Sequence, residues 1–90
     1  GLPEDRRHER VVPRNPRSTL VMDDGSEHIV RIIDISLSGA AFSSDLDLPI
    51  NTPVRLGTTP ARVVRRFDGG YAAEFRFPLS ADLLDENLEL

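Results

Sequence analysis

A chain of 90 residues with a formal net charge of -4 and no cysteine can form one small domain, and it cannot form disulfides or thiolate metal sites. All 11 basic residues are arginine, against 15 acidic residues. This balance argues against general nucleic-acid binding, which depends on neutralising many phosphates at once. No apolar run is long enough to span a bilayer, and the N-terminus lacks the apolar core of a signal peptide, so we expect a cytoplasmic protein.

The first 16 residues predict an irregular arm, because Pro3, Pro13 and Pro16 interrupt them and no hydrophobic period is sustained. The pattern then changes to short β-strands separated by turns. Six strands are predicted from β-branched residues and alternation, over residues 17–22, 28–35, 39–44, 54–57, 61–67 and 71–77. Asp-Gly and Gly-Gly pairs within residues 23–26 and 68–70 predict tight hairpin turns, and the proline-containing segment 45–53 predicts a loop.

Alternation also predicts which side chains of the last two strands face the core. In the sixth strand every second residue from Tyr71 to Phe77 is apolar, which predicts that this set is buried. In the fifth strand, strict alternation places Arg65 on the face opposite to Arg62 and Arg66. We interpret these three arginines as outer surface of the fold, not as a binding site.

A helical pattern follows Pro78. Ser80 is a good N-cap residue, Asp82 suits the positive end of a helix dipole, and Leu84 and Leu88 lie on one apolar stripe. The sequence therefore predicts a single all-β domain over residues 1–90. It consists of an arm (1–16), a closed or nearly closed antiparallel barrel (17–77) and a short C-terminal α-helix (80–90) that packs on the barrel.

The segment "DRRHER" (5–10) concentrates arginines in the arm ahead of any strand. An arginine side chain presents a planar fork of donors that matches phosphate oxygens or the acceptor edge of guanine. A cluster of arginines can therefore bind a small anion, although it can also serve only to keep the chain soluble.

The segment "DISLSG" (34–39) lies between the second and third predicted strands and has the spacing Asp34-x-Ser36-x-x-Gly39. One interpretation is a capped turn, in which the Asp and Ser side chains bond nearby backbone groups and Gly adopts an unusual conformation. The other is a binding site, in which Asp34 accepts hydrogen bonds from a guanine while Ser36 and Gly39 allow close approach. Taken alone, the segment favours the turn.

Together, Arg6-x-x-x-Arg10 and Asp34-x-Ser36-x-x-Gly39 in a six-strand domain of this size resemble the PilZ domain family, over essentially the whole chain. The resemblance implies a PilZ-type β-barrel that binds the bacterial second messenger cyclic di-GMP. Our first hypothesis is therefore a receptor without a cofactor, whose arm folds over the ligand and thereby changes a surface that binds a protein partner. The resemblance also implies that Arg6 and Arg10 grip guanine and phosphate groups, with Asp34, Ser36 and Gly39 as the opposing wall.

The arm departs from the family pattern at one position. Many members carry two adjacent arginines at the start of the first motif, and Asp5 stands in place of the leading one. In the family that position is associated with binding one ligand molecule or an intercalated pair. We therefore expect one ligand molecule per domain, or weaker affinity for the ligand, although Arg7 could substitute for the missing arginine.

Other functions fit the sequence less well. His8 and His28 lack neighbours at metal-ligand spacing, and the acids of residues 23–27 lack the periodicity of a calcium loop, so we expect no metal site. Without cysteine, a recognisable triad or a phosphate-binding glycine loop, we expect no enzyme.

Two alternatives to a cyclic di-GMP receptor remain open. One is a degenerate PilZ-fold adaptor that binds protein but not cyclic di-GMP; the other, a binder of single-stranded nucleic acid, conflicts with the acidic charge and the few aromatic residues.

Overall fold

Six antiparallel strands close into a barrel in the computed structural model, which describes residues 10–90. The strands are β1 (Arg17–Met22), β2 (Glu27–Ile35), β3 (Gly39–Ser43), β4 (Pro53–Leu56), β5 (Thr59–Phe67) and β6 (Gly70–Phe75). Their order around the barrel is β1-β2-β3-β6-β5-β4, and β4 pairs with β1 to complete the ring. The predicted six-stranded antiparallel barrel is confirmed, and its closure leaves no strand edge exposed.

Alternating side chains from all six strands fill the interior of the barrel. The largest fully buried residues are Tyr71, Phe42, Leu20, Ile35, Leu56 and Val63. The rings of Phe42 and Tyr71 pack with centroids 5.9 Å apart. Phe77 lies beyond the end of β6 with 67% of its surface exposed, so the prediction that it is buried was wrong. Alternation applies only while the strand continues, and β6 ends at Phe75.

The predicted turns and the predicted loop are also present. Gly25 and Gly69 have φ values of 87° and 89°, which only glycine adopts easily, in the β1–β2 and β5–β6 hairpins. In the loop between β3 and β4, the buried Tyr71 hydroxyl donates to the carbonyl of Leu46 and accepts from the N–H of Leu48 at 2.9 Å. The core tyrosine therefore fixes the path of this loop.

Two β-bulges change which side chains face outward. The pairing of β2 with β3 passes from Ile32 to Asp34, and that of β5 with β6 passes from Val63 to Arg65. Each strand thus contains one extra residue, Ile33 or Val64, without a partner. The bulge in β5 reverses the alternation after it, so that Arg65 shares the outer face with residues before the bulge. The prediction that Arg62 shares a face with Arg66 and not with Arg65 was therefore wrong: Arg65 joins Arg62 on the outer face, whereas Arg66 pairs with the buried Tyr71.

The C-terminal α-helix predicted for residues 80–90 is not present, and its place is taken by a single 3₁₀ turn, Ala81–Leu83. Ser80 makes no side-chain capping bond. The tail instead bonds to β1 and to the segment before it: the N–H of Arg14 donates to the carbonyl of Glu86 at 2.7 Å, and the Ser18 hydroxyl in β1 donates to the carbonyl of Leu90 at 3.0 Å.

Two physical reasons explain the missing helix. An isolated helix shorter than about 12 residues is marginal in water. Acidic residues in the second half of the segment, at positions 85, 86 and 89, also oppose the negative end of a helix dipole. The irregular backbone after the 3₁₀ turn instead lets Leu84, Leu88 and Leu90 all pack against the barrel core. Within residues 10–90, no helix has the length and apolarity needed to cross a membrane.

Candidate functional site

A two-residue bridge brings the end of the arm against the end of β2. The N–H of Val11 donates to the carbonyl of Ile35, and the N–H of Ile35 donates back to the carbonyl of Val11, both at 2.8 Å. This bridge places Arg10 beside Asp34, and Arg10 Nη1 donates to Asp34 Oδ1 at 2.6 Å. The last arginine of the first motif and the aspartate of the second, 24 residues apart in the chain, are therefore in direct contact.

Arg6 and Arg7, the other predicted ligand-binding arginines, lie outside residues 10–90, and so does Asp5. Their roles stay predictions.

Ser36 is buried and closes the turn between β2 and β3. Its backbone N–H donates to the carbonyl of Gly39 at 2.8 Å, and its hydroxyl donates to the same oxygen at 3.2 Å. The hydroxyl oxygen also lies 3.3 Å from that of Ser38. Only 3% of the Ser36 surface is exposed. Ser36 thus has the hydrogen bonds expected of a capped turn, whatever contact it makes with a ligand.

Gly39 opens β3 at a point where the backbone of β6 passes very close. A Cβ atom at this position would collide with the carbonyl oxygen of Ala73. Gly39 pairs with Glu74 across the two strands, so any side chain would push β3 and β6 apart. The glycine of the second motif is therefore required by the fold itself.

Arg10, Ser36 and Gly39 line a shallow depression on the outside of the barrel, with a volume of about 130 Å³. It is lined by Arg10, Ser36, Ser38, Gly39, Ala40, Val64, Ala72, Ala73 and Glu74. Its floor consists of glycine and alanine, which leaves a surface without protruding side chains. Binding sites for small molecules usually enclose about 300–1,000 Å³. The described residues therefore supply a floor and one wall, and a bound dinucleotide would need further covering.

Charged side chains of both signs lie at or beside the depression. The side chain of Arg10 is 54% exposed and that of Asp34 is 24% exposed, so both remain open to solvent on one side. Of the two carboxylate oxygens of Asp34, Oδ1 accepts the bond from Arg10, and Oδ2 accepts no bond from any residue in the range 10–90. On the opposite border, Glu74 accepts from Arg62 at 3.3 Å.

Of the six predicted site residues, the structure brings together Arg10, Asp34, Ser36 and Gly39 at one end of the β2–β3 hairpin. Sequence analysis did not predict the side of the depression formed by Val64 on β5 and by residues 72–74 on β6. Val64 lines it because of the bulge in β5, and a bulge leaves no clear mark in the hydrophobic pattern. In the described part of the chain, no group of three or more His, Asp or Glu side chains is arranged to hold a metal ion.

Comparison with known proteins identifies one family. The family model described as "PilZ domain" matches residues 4–89 of the 90-residue chain, and the match therefore includes both motifs. No curated protein matches the chain. The region of the family match extends from before Arg6 through the barrel and almost to the end of the C-terminal tail.

Proposed function

We propose that this chain, which belongs to the PilZ domain family and therefore to a class of domains that generally bind cyclic di-GMP, is a bacterial receptor for that nucleotide. The observation that carries the proposal is the contact of Arg10 with Asp34 at the border of a flat, small-residue depression. A donor-rich arginine and an acceptor carboxylate at one edge match the two kinds of polar group that a guanine nucleotide presents.

The proposed roles follow from the chemistry of the ligand. Guanine offers O6 and N7 as acceptors, and its Watson–Crick edge offers N–H donors. Asp34 Oδ2 would accept from those donors, while the guanidinium groups of Arg10 and Arg6 would bind phosphate oxygens or the O6/N7 edge. The alanine and glycine floor would let a base lie flat against the barrel. Ser36 and Gly39 would act mainly by holding the turn that positions Asp34.

The size of the depression supports the proposal that the arm completes the site. About 130 Å³ is too small to enclose a dinucleotide, and the chain that carries Arg6 and Arg7 is attached at the rim through Arg10 and Val11. Closure of that segment over the ligand would supply the missing wall and exclude water from the charged contacts, which strengthens them. We expect one ligand molecule per domain because Asp5 replaces the leading arginine.

A route for signalling to a partner starts at the other end of the same segment. Arg14 forms an ion pair with Glu86, and the Asn15 amide donates to Glu89 at 2.9 Å. Residues 10–15 therefore contact the ligand site at one end and the C-terminal tail at the other. Ligand binding that shifts residues 10–15 would also change the surface of the C-terminal tail. A protein partner that binds this surface would then respond to the ligand.

The alternative function is a PilZ-fold adaptor that binds protein and not nucleotide. One observation favours it: Arg10 and Asp34 already satisfy each other's charge, so both residues have a role in the fold without any ligand. The adaptor would keep the barrel, the turn and the ion pair. The two functions differ in whether cyclic di-GMP binds.

Isothermal titration calorimetry of the protein with cyclic di-GMP separates them, with linear di-GMP and GTP as control ligands. The receptor predicts saturable binding of the cyclic form with a stoichiometry near one and much weaker binding of the controls. Absence of binding at high protein concentration, together with an unchanged melting temperature, would refute the receptor and favour the adaptor. Equal binding of all three nucleotides would show a general anion site and would also refute it.

A further inference from the structure

Strand β5 carries an arginine, Arg65, directly after Val64, which lines the depression. We infer that Arg65 is a further ligand-binding residue, which contacts a phosphate group of the nucleotide from the side opposite to Asp34. The inference rests on the proposed function and adds a residue that lies in neither motif. Three features support it: the row of residues to which Arg65 belongs, the bulge that precedes it and the contrast with the other arginines of β5.

Arg65 lies in the same outer row of side chains as Asp34. Asp34 pairs with Ala41, Ala41 with Ala72, and Ala72 with Arg65 across β2, β3, β6 and β5. Directly opposed residues on neighbouring strands point to the same face of the sheet. With neighbouring strands about 4.8 Å apart, the backbones of Asp34 and Arg65 are separated by about 14 Å. The two residues between them in this row are alanines, whose side chains are single methyl groups.

The bulge at Val64 orients Arg65 toward this surface. Without it, alternation would direct Arg65 to the face of the buried Val63. Because Val64 is inserted without a partner, Val64 and Arg65 both lie on the outside, and Val64 lines the depression with 38% of its surface exposed. Bulges commonly redirect side chains next to binding sites.

The other two arginines near the bulge have partners of their own. Arg62 pairs with Glu74 at 3.3 Å, whereas Arg66 pairs with Asp47 at 3.4 Å and also stacks over the ring of Tyr71. Within residues 10–90, Arg65 forms no ion pair and no side-chain hydrogen bond, although it is exposed. Among the three arginines of β5, Arg62 and Arg66 would have to give up an ion pair to bind a phosphate. Arg65 could bind one without breaking an ion pair or side-chain hydrogen bond to any residue in the range 10–90.

The test compares Arg65→Ala with Arg62→Ala and Arg66→Ala by calorimetric titration with cyclic di-GMP. All three variants remove one positive charge from the same strand, so a general loss of attraction would weaken binding equally. We expect Arg65→Ala to weaken binding about ten- to a hundredfold, as for loss of a charged hydrogen bond, and each control variant to weaken it less than about threefold. Melting temperatures of all three should stay close to that of the wild type.

The outcomes separate this inference from the proposed function. If the wild type binds cyclic di-GMP and Arg65→Ala binds equally well, the inference is wrong and the receptor stands. If all three variants lose binding to the same extent, the effect is general electrostatics and the inference is also wrong. If the wild type does not bind, the proposed function fails and the inference fails with it. A selective loss in Arg65→Ala, with an unchanged melting temperature, would support a direct contact.

Discussion

Replacement of Arg10 by alanine should separate ligand binding from stability. Arg10 lies in the arm and contacts the barrel through its ion pair with Asp34. The backbone bridge that holds this part of the chain is made by Val11, which the substitution leaves intact. We therefore expect Arg10→Ala to keep its fold and to lose most of its affinity for cyclic di-GMP.

The structure gives the size of both effects. An exposed ion pair contributes about 0.2–1 kcal/mol, and 1 kcal/mol shifts the melting temperature of a domain this small by about 4–8 °C. Because the Arg10 side chain is 54% exposed, the cost in stability should lie within that range. A charged hydrogen bond to the ligand contributes about 1.5–3 kcal/mol, so its loss should weaken binding about ten- to a hundredfold.

Differential scanning fluorimetry and calorimetric titration measure the two effects on the same sample. Arg14→Ala is the matched control, because Arg14 is also exposed and ion-paired but pairs with Glu86 and does not line the depression. If Arg10→Ala is unfolded at room temperature, the arginine is structural and the assignment is wrong. If it binds as tightly as the wild type, Arg10 does not contact the ligand.

Three further substitutions test the fold and its electrostatics. Gly39→Ala should destabilise the domain by about 1–3 kcal/mol in urea unfolding, because the added methyl group collides with the backbone of β6. Tyr71→Phe should cost about 1–3 kcal/mol and speed hydrogen exchange at the amide of Leu48, which loses its buried acceptor. The Ser26 hydroxyl donates to Asp24 and lowers its pKa, so Ser26→Ala should raise that pKa toward its ordinary value in a carboxyl NMR titration. Since a lowered carboxyl pKa stabilises the fold only above the unfolded value of about 4, this variant should lose stability at neutral pH and approach the wild type as the pH falls through the lowered pKa.

The barrel could be predicted from local pattern, because strand alternation and turn glycines are local properties. The bulges could not, since an extra residue such as Val64 is apolar and β-branched like its neighbours, and only the register with the partner strand shows that it is unpaired. The C-terminal tail was mispredicted for a related reason. Its leucines suit a helix, but contacts with residues 14–18, distant in sequence, decide its conformation.

The candidate site was predictable where it depends on side-chain chemistry and not where it depends on register. Arg10 and Asp34 stood out because guanidinium and carboxylate groups suit a guanine nucleotide, and the structure places them in contact. The part of the depression on β5 and β6 carries no motif, because alanines and a valine have no chemistry that marks them. Arg65 lies in neither motif and was therefore interpreted as outer surface. Only the strand pairing shows that it lies in the same row of side chains as Asp34.

The most direct test of the central claim is a titration of ¹⁵N-labelled protein with cyclic di-GMP, followed by two-dimensional NMR. The account predicts saturable shifts for the amides of Arg10 and Val11, for residues 34–41 on the β2–β3 turn and for residues 72–74 on β6. Amides of β1 and β4, which lie across the barrel from the depression, should change little. Shifts confined to β1 and β4, or no shift at millimolar nucleotide, would contradict the claim that this depression is the nucleotide site.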